Sequence, residues 1–370
     1  MKRIISIFGL LIALFASQLQ ARGLDDVDVI LIRGYTSEVV FDKTMPRYGE
    51  PTFDSYWAPL DVAYWNYYKN TLLKGNKGRV VSFHWSSKDR LTGGVVRSMA
   101  ERIKAEIDKG LCANKCVMIT HSTGGLVGDY LISSAINSKG SSYDYKIIAD
   151  KVAVVIHLAS AGGGSELASI VRDVAYGVGC SNSLTQTIVG WIFKGVNCGA
   201  GENSIGITND LVPTRARQVN GSQFTYTPTL MLAGEGTAGV QGAVGNMLLP
   251  GNDDSVVAMH STCGANSATP VDSCSPNVKP NGELASVGAP RGFYAAHYPW
   301  IMTGEDHGEM IQVQRELDPA ARETLVTRMY GNFAETQSSS GWWIFKTDYR
   351  RISGDESKTS GQLIKQYFTF

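Results

Sequence analysis

The sequence predicts an α/β fold with a mostly parallel central sheet and helices on both of its faces. Three observations predict it. Runs of strand length recur along the chain and are nearly all apolar, the pattern of strands covered on both faces. Stretches with apolar residues at helical spacing lie between them. Several of the runs also empty into short turns rich in Gly, Ser, Thr or His, and in a parallel sheet such turns lie along the carboxyl edge, where ligands collect.

Taken in order, residues 27–32 (VDVILI) are aliphatic apart from Asp28 and end in Arg33-Gly34-Tyr35-Thr36, a buried strand running into a turn. Residues 38–59 are rich in Pro, Gly and aromatics and read as irregular. Val62, Tyr64, Trp65, Tyr68 and Leu72 then lie near helical spacing until Gly75 and Gly78 stop the pattern. Residues 79–85 (RVVSFHW) form a second strand, and Val96, Met99, Ile103 and Ile107 share one face of a helix over 95–107. The run from Cys116 breaks at His121-Ser122-Thr123-Gly124-Gly125 and resumes as a helix from Leu126 to Ile136, which is a strand, a sharp turn and a helix. Residues 151–158 (KVAVVIHL) are a further strand, leading into Ala159-Ser160-Ala161 and three glycines.

The rhythm breaks over 169–210. Leu184, Ile188, Trp191 and Ile192 lie at helical spacing between Cys180 and Cys198, which reads as an insertion forming a cap or lid, or else an ordinary packed helix. Residues 227–233 (TPTLMLA) restore the strand pattern and precede an acidic loop, Asn252-Asp253-Asp254. A loop-rich insertion occupies 259–296. Residues 298–303 (YPWIMT) read as the last core strand, emptying into the turn that carries His307 and then a helix over 310–317. The tail after Gln337 adds edge strands.

The 370 residues, 43% of them hydrophobic, suit one large domain over 22–370. With 34 basic and 34 acidic residues and no long basic run, nucleic acid is not an expected partner. Lys2-Arg3, an apolar run over 4–15 and a small-residue stretch ending at Ala21 have the three parts of a secretory signal peptide, 1–21, so the mature chain is expected to be secreted or periplasmic. The apolar run is too short for the ~20 residues that span a bilayer. Six cysteines fall as neighbours, Cys112 with Cys116, Cys180 with Cys198 and Cys263 with Cys274. Disulfides in an oxidising compartment are the expectation, sequential pairing being one of fifteen connectivities. No metal or cofactor is expected: the cysteines lack knuckle spacing, and the acidic loop supplies too few oxygens for calcium.

A serine at a strand-to-helix turn is a candidate nucleophile, and it needs a base and an orienting carboxylate. Gly124 and Gly125 follow Ser122, although Thr120 stands where such turns usually have glycine; an ordinary Gly-rich loop is the bland alternative. Among six histidines, His307 alone follows a strand in a Gly-bounded loop, with His260 and His297 as rivals. His84 sits within a strand, His121 is too near the serine to serve it as base, and His157 lies just below a strand end, where it packs beneath the site. For the acid, Asp254 follows the 227–233 strand whereas Asp210 precedes it; Asp253 is the nearest rival to Asp254. The N–H groups of Thr123, at a helix start, and Tyr35, after the first strand, are the candidate donors for an oxyanion.

These residues resemble the α/β-hydrolase superfamily, in its secreted bacterial lipase and esterase branch. The resemblance runs through LIRGYTS, THSTGGLV, HLASAGGGSELA, NDLVP, NDDSVVAMHS and EDHGEMI, whose serine, acid and histidine come in the family's order. It implies Ser122, Asp254 and His307 as a triad, Tyr35 and Thr123 as oxyanion donors, and an acyl ester or lipid as substrate, with transient contact at a lipid interface. Two departures stand out: Thr120 at the elbow, and Arg33-Gly34 where the family often has His-Gly. Phospholipase, acyltransferase, polyester depolymerase, peptidase and a non-catalytic secreted binding protein are alternatives on the same scaffold.

Overall fold

The computed structural model describes residues 28–35, 78–113, 115–137, 143–192, 196–221, 227, 229–236, 248–249, 253–262, 297–303, 307, 335–340 and 347–352. The expected signal segment 1–21, the helical pattern over 60–73, Cys263 and Cys274, the expected insertion beyond Thr262 and the expected 310–317 helix lie outside the described residues.

Among the described residues eight strands form one sheet: β1 Asp28–Ile32, β2 Val80–Phe83, β3 Cys116–His121, β4 Val152–Leu158, β5 Thr229–Glu235, β6 His297–Thr303, β7 Glu335–Ser340 and β8 Thr347–Ile352. Their spatial order is β2-β1-β3-β4-β5-β6-β8-β7. All pairings are parallel except β7 with β8, the tail hairpin at the edge. Every residue of β3 is buried, as are Val29 to Ile32 of β1, which is why these runs are continuous rather than alternating. Asp28, the one charge in β1, lies at the amino edge. There its carboxylate accepts from the Arg79 N–H at 2.7 Å and the Cys112 N–H at 2.6 Å, tying the start of β2 and the Cys112–Cys116 disulfide turn to the first strand.

The chain runs from β1 to β2 on one side and then returns to β3 on the other, so the sheet has its switch point between β1 and β3. In open parallel sheets the carboxyl edge at such a switch point is where ligands bind. Residues 33–35 and Ser122 both sit at that edge.

Helix α1, Val96–Asp108, buries Val96, Met99, Ala100 and Ile103, and Ile107 packs partly buried against the same core. A π-helical turn, Leu91–Val95, precedes it. Helix α2, Thr123–Asn137, starts directly after Ser122. Helix α3, Tyr143–Lys151, packs on α1 and α2 and leads into β4. Its polar composition hides it in the sequence; Ile148 anchors it in the core, fully buried.

Residues 166–221 carry α4 Glu166–Ala175, α5 Ser183–Ile192 and α6 Pro213–Gly221, with two short 3-10 turns between α5 and α6. The Cys180–Cys198 disulfide closes the segment around α5. A second apolar cluster, which includes Leu167, Val171, Val189, Ile205 and Ala258, joins this segment to the acidic loop. Tyr35 and Val256 pack against both this cluster and the main core, and so join the two. The segment is also fixed by charge. Arg90 makes a bidentate pair with the buried Asp210 carboxylate at 2.6 and 2.9 Å, and the Leu91 N–H donates to the same carboxylate at 2.7 Å. Breaking such a buried pair from one side costs about 3–5 kcal/mol.

Candidate active site

Ser122 terminates β3 with φ 54°, in the left-handed region where a residue with a Cβ is strained by about 1–2 kcal/mol. The surroundings hold it there. Its N–H donates to the Leu158 carbonyl at 3.1 Å, and its carbonyl accepts from Gly125 and Ala161, each at 2.9 Å. Glycine is required after it because the backbone runs so close to its neighbours. A Cβ on residue 124 would stand 2.3 Å from the Ile32 carbonyl oxygen, and one on residue 125 would stand 1.8 Å from Ser160 Oγ. Helix α2 then begins at Thr123, which puts the positive end of a helix dipole beside the hydroxyl.

The acidic loop folds on itself around Asp254. One carboxylate oxygen accepts from the Val256 and Val257 N–H groups at 3.1 and 2.7 Å, and the other accepts from His307 Nδ1 at 2.8 Å. The His307 N–H also donates to the Asp254 carbonyl at 2.8 Å, so backbone and side chain are held together. Asp254 is 1% exposed, and the His307 side chain 13%. His121, the residue before Ser122, donates from Nε2 to the His307 carbonyl at 3.0 Å, and the two rings are 4.8 Å apart. A carbonyl can only accept, so His121 carries its proton on Nε2. Burial, and then the nearby His307, keep its pKa well below the usual histidine value. The sequence set His121 aside as a base; it instead ties the histidine loop to the elbow.

The rival residues have other partners. His260 accepts from Arg217 at 2.5 Å on Nδ1 and donates to Glu166 at 3.0 Å on Nε2, so both ring nitrogens are occupied. His297 opens β6 and lies at the amino edge of the sheet, opposite the elbow. Asp210 is engaged by Arg90. Asp253 accepts from the Ser255 N–H at 2.6 Å, and its carboxyl is pushed up to about 6, first by burial and then by the neighbouring Asp254 charge, against that hydrogen bond.

The turn after β1 is held by groups the sequence did not connect. Arg33 is fully buried, donates to the Gly34 carbonyl at 2.8 Å and to the Trp85 carbonyl, and places its guanidinium 4.9 Å from the Trp85 ring centre. Trp85 Nε1–H returns a bond to the Arg33 carbonyl at 3.0 Å. Arginine thus clamps this loop to the end of β2, while burial pushes the Tyr35 phenol up, an effect that Thr208 of the 166–221 segment partly offsets. A cleft of about 580 Å³ lies within that segment, lined by Arg172, Tyr176, Glu202, Asp210 and Arg215 among others. Its walls are polar and ion-paired, so it offers an acyl chain little apolar surface.

No cluster of three or more metal-ligating side chains occurs among the described residues. No helix among them is long and apolar enough to cross a membrane.

No family model and no curated protein matches this chain. Among solved structures, a mature lipase of Bacillus licheniformis is similar at 15% identity and TM-score 0.44, over 82% of this chain and 92% of its own. EstA of Clostridium botulinum is similar at 12% and 0.43, over 81% and 86%. Lipase 1 of Pelosinus fermentans is similar at 14% and 0.42, over 84% and 100%. The chain's own topology, a parallel sheet with its switch point between β1 and β3 and a strained strand-to-helix serine turn at that point, is that of an α/β-hydrolase fold.

Proposed function

We propose that this chain is a serine hydrolase of carboxylic esters, acting through an acyl-enzyme on Ser122. The observation that carries the reading is the His307–Asp254 pair, tied through His121 to the elbow that presents Ser122. In this reading Ser122 Oγ attacks the ester carbonyl while His307 Nε2 takes its proton, and Asp254 holds Nδ1–H and with it the tautomer. The backbone N–H groups of Thr123 and Tyr35 stabilise the oxyanion, an effect of the kind worth about 3–4 kcal/mol per donor. The alcohol leaves with the proton from His307. Water, deprotonated by the same nitrogen, attacks the acyl-enzyme and releases the acid with Ser122 restored. Residues 169–210 form a cap beside the carboxyl edge, residues 1–21 direct export, and the oxidised Cys112–Cys116 and Cys180–Cys198 pairs fit an extracellular or periplasmic site of action. The substrate is an acyl ester or lipid.

The test is release of p-nitrophenol from short and long acyl esters, with and without micelles, by wild type and Ser122→Ala. Loss of turnover by a factor on the order of 10⁴ or more is expected. Undiminished turnover in the variant removes Ser122 from the mechanism. The acyl series and the response to micelles separate a simple esterase from an enzyme that needs a lipid surface.

A further inference from the structure

Thr120 lies two residues before Ser122, where a side chain meets the helix leaving the elbow. Its place is made on the helix side: a Cβ on Gly128 of α2 would stand 2.9 Å from the Thr120 methyl and 3.3 Å from Met118 Sδ. The glycine usual on the strand has in effect moved to the helix. That leaves a fully buried hydroxyl, which must be hydrogen-bonded. The β3–β4 register sets Thr120 opposite His157, and Thr120 Oγ1 is 2.6 Å from His157 Nδ1. His157 Nε2 is 2.7 Å from the Asp129 carboxylate, which can only accept, so Nε2 carries the proton and Nδ1 accepts from Thr120. His157 is 0% exposed. The chain of donors joins the strand that enters the elbow, the helix that leaves it, and β4, whose next residue supplies the carbonyl bonded to the Ser122 N–H.

We infer that His157 is a positioning residue, holding the strained Ser122 turn through Thr120 and Asp129. The inference rests on the reading of Ser122 as nucleophile for its effect on catalysis, though not for its effect on the turn. Asparagine at 157 places an amide oxygen near the position of Nδ1 and keeps an acceptor for Thr120. Glutamine places its amide nearer Nε2 and loses that acceptor, and leucine loses both.

The experiment compares His157→Asn, His157→Gln, His157→Leu and Thr120→Val in the full chain by kcat, KM, fluorophosphonate labelling of Ser122, amide exchange at Ser122 and urea unfolding. Expected are losses of about 10- to 100-fold in kcat and labelling rate for Gln, Leu and Thr120→Val, with KM within about 3-fold and faster exchange of the Ser122 amide. His157→Asn should stay within about 3-fold of wild type, and Thr120→Val with His157→Leu should be no worse than the poorer single variant. Unchanged Ser122 exchange and labelling, or losses that follow unfolding stability with no rescue by asparagine, overturn the inference. If wild type is not labelled at Ser122 while exchange still separates Asn from Gln and Leu, the nucleophile reading falls and the anchoring stands.

Discussion

Two histidine–carboxylate pairs flank the elbow, and their bond lengths barely differ: 2.8 Å between His307 and Asp254, and 2.7 Å between His157 and Asp129. They differ in what the second ring nitrogen does. In His157 it accepts from Thr120 within the sealed core. In His307 the acid takes Nδ1 and the ring stays partly exposed, so the proposed proton transfer falls to Nε2. An imidazole beside a carboxylate therefore does not by itself mark a base. The nitrogen left over does, and a strand interior uses up what a loop at the carboxyl edge keeps.

The comparison is broken most directly by amidating each acid in turn. Asp254→Asn removes the acceptor that fixes the His307 tautomer, and should lower kcat by about 10³- to 10⁴-fold with urea unfolding little changed. Asp129→Asn should reverse that balance, with the larger effect on unfolding, because a buried imidazole N–H loses its charged acceptor. Steady-state kinetics and urea unfolding on the same preparations decide it. Equal kinetic losses would mean that both pairs serve the reaction in the same way.

The sequence made the pair proposed to react easier to read than the sealed one. Loops at carboxyl edges can be recognised by order: a strand, then Asp254; a strand, then His307. The sheet was legible for the same reason, because β1, β3 and β4 are apolar runs bounded by turns. The sealed network depends on registers that no local pattern encodes. Thr120 and His157 are 37 residues apart and meet only because β3 pairs with β4. The Thr120 departure was visible, but its compensation at Gly128 was not, although glycine inside a helical pattern is itself a signal of close approach. Arg33 and Trp85 are brought together in the same way by the β1–β2 pairing. Helix α3 shows no helical signature in the sequence because its largely polar composition hides the anchor at Ile148.

A third pair sharpens the comparison. His260 lies between Arg217 and Glu166, and so joins α4, α6 and the short helix Met259–Thr262 that follows the acidic loop. By the criterion of the leftover nitrogen it is structural. His260→Leu should lower unfolding stability by about 3 kcal/mol, since two hydrogen bonds to charged groups are lost, while turnover per folded molecule stays within a few-fold. Calorimetry with active-site titration separates the two. A loss of kcat without loss of stability would move His260 into the reaction.

Asp253 supplies the last and smallest contrast, a buried carboxyl beside Asp254 with no imidazole against it among the described residues. Its Oδ2 has no hydrogen-bond partner among those residues, and burial pushes its carboxyl up from 3.8 to about 6. The sign follows from proton binding. Between pH 3.8 and about 6 the folded chain holds this proton more than the unfolded chain does, so the contribution of Asp253 to stability is complete below pH 3.8 and is lost as pH rises through about 6. Asp253→Asn cannot ionise and escapes that loss. The variant should match wild type in urea unfolding near pH 3.5 and exceed it by about 1–3 kcal/mol at pH 7, with kcat within a few-fold. A difference that stays flat across this window, or a kinetic loss as large as that of Asp254→Asn, would give Asp253 a share in orienting His307. The opposite result leaves the two adjacent carboxyls divided by their partners: Asp254 accepts from two backbone N–H groups and an imidazole, and Asp253, with one backbone N–H, holds its proton until the pH nears 6.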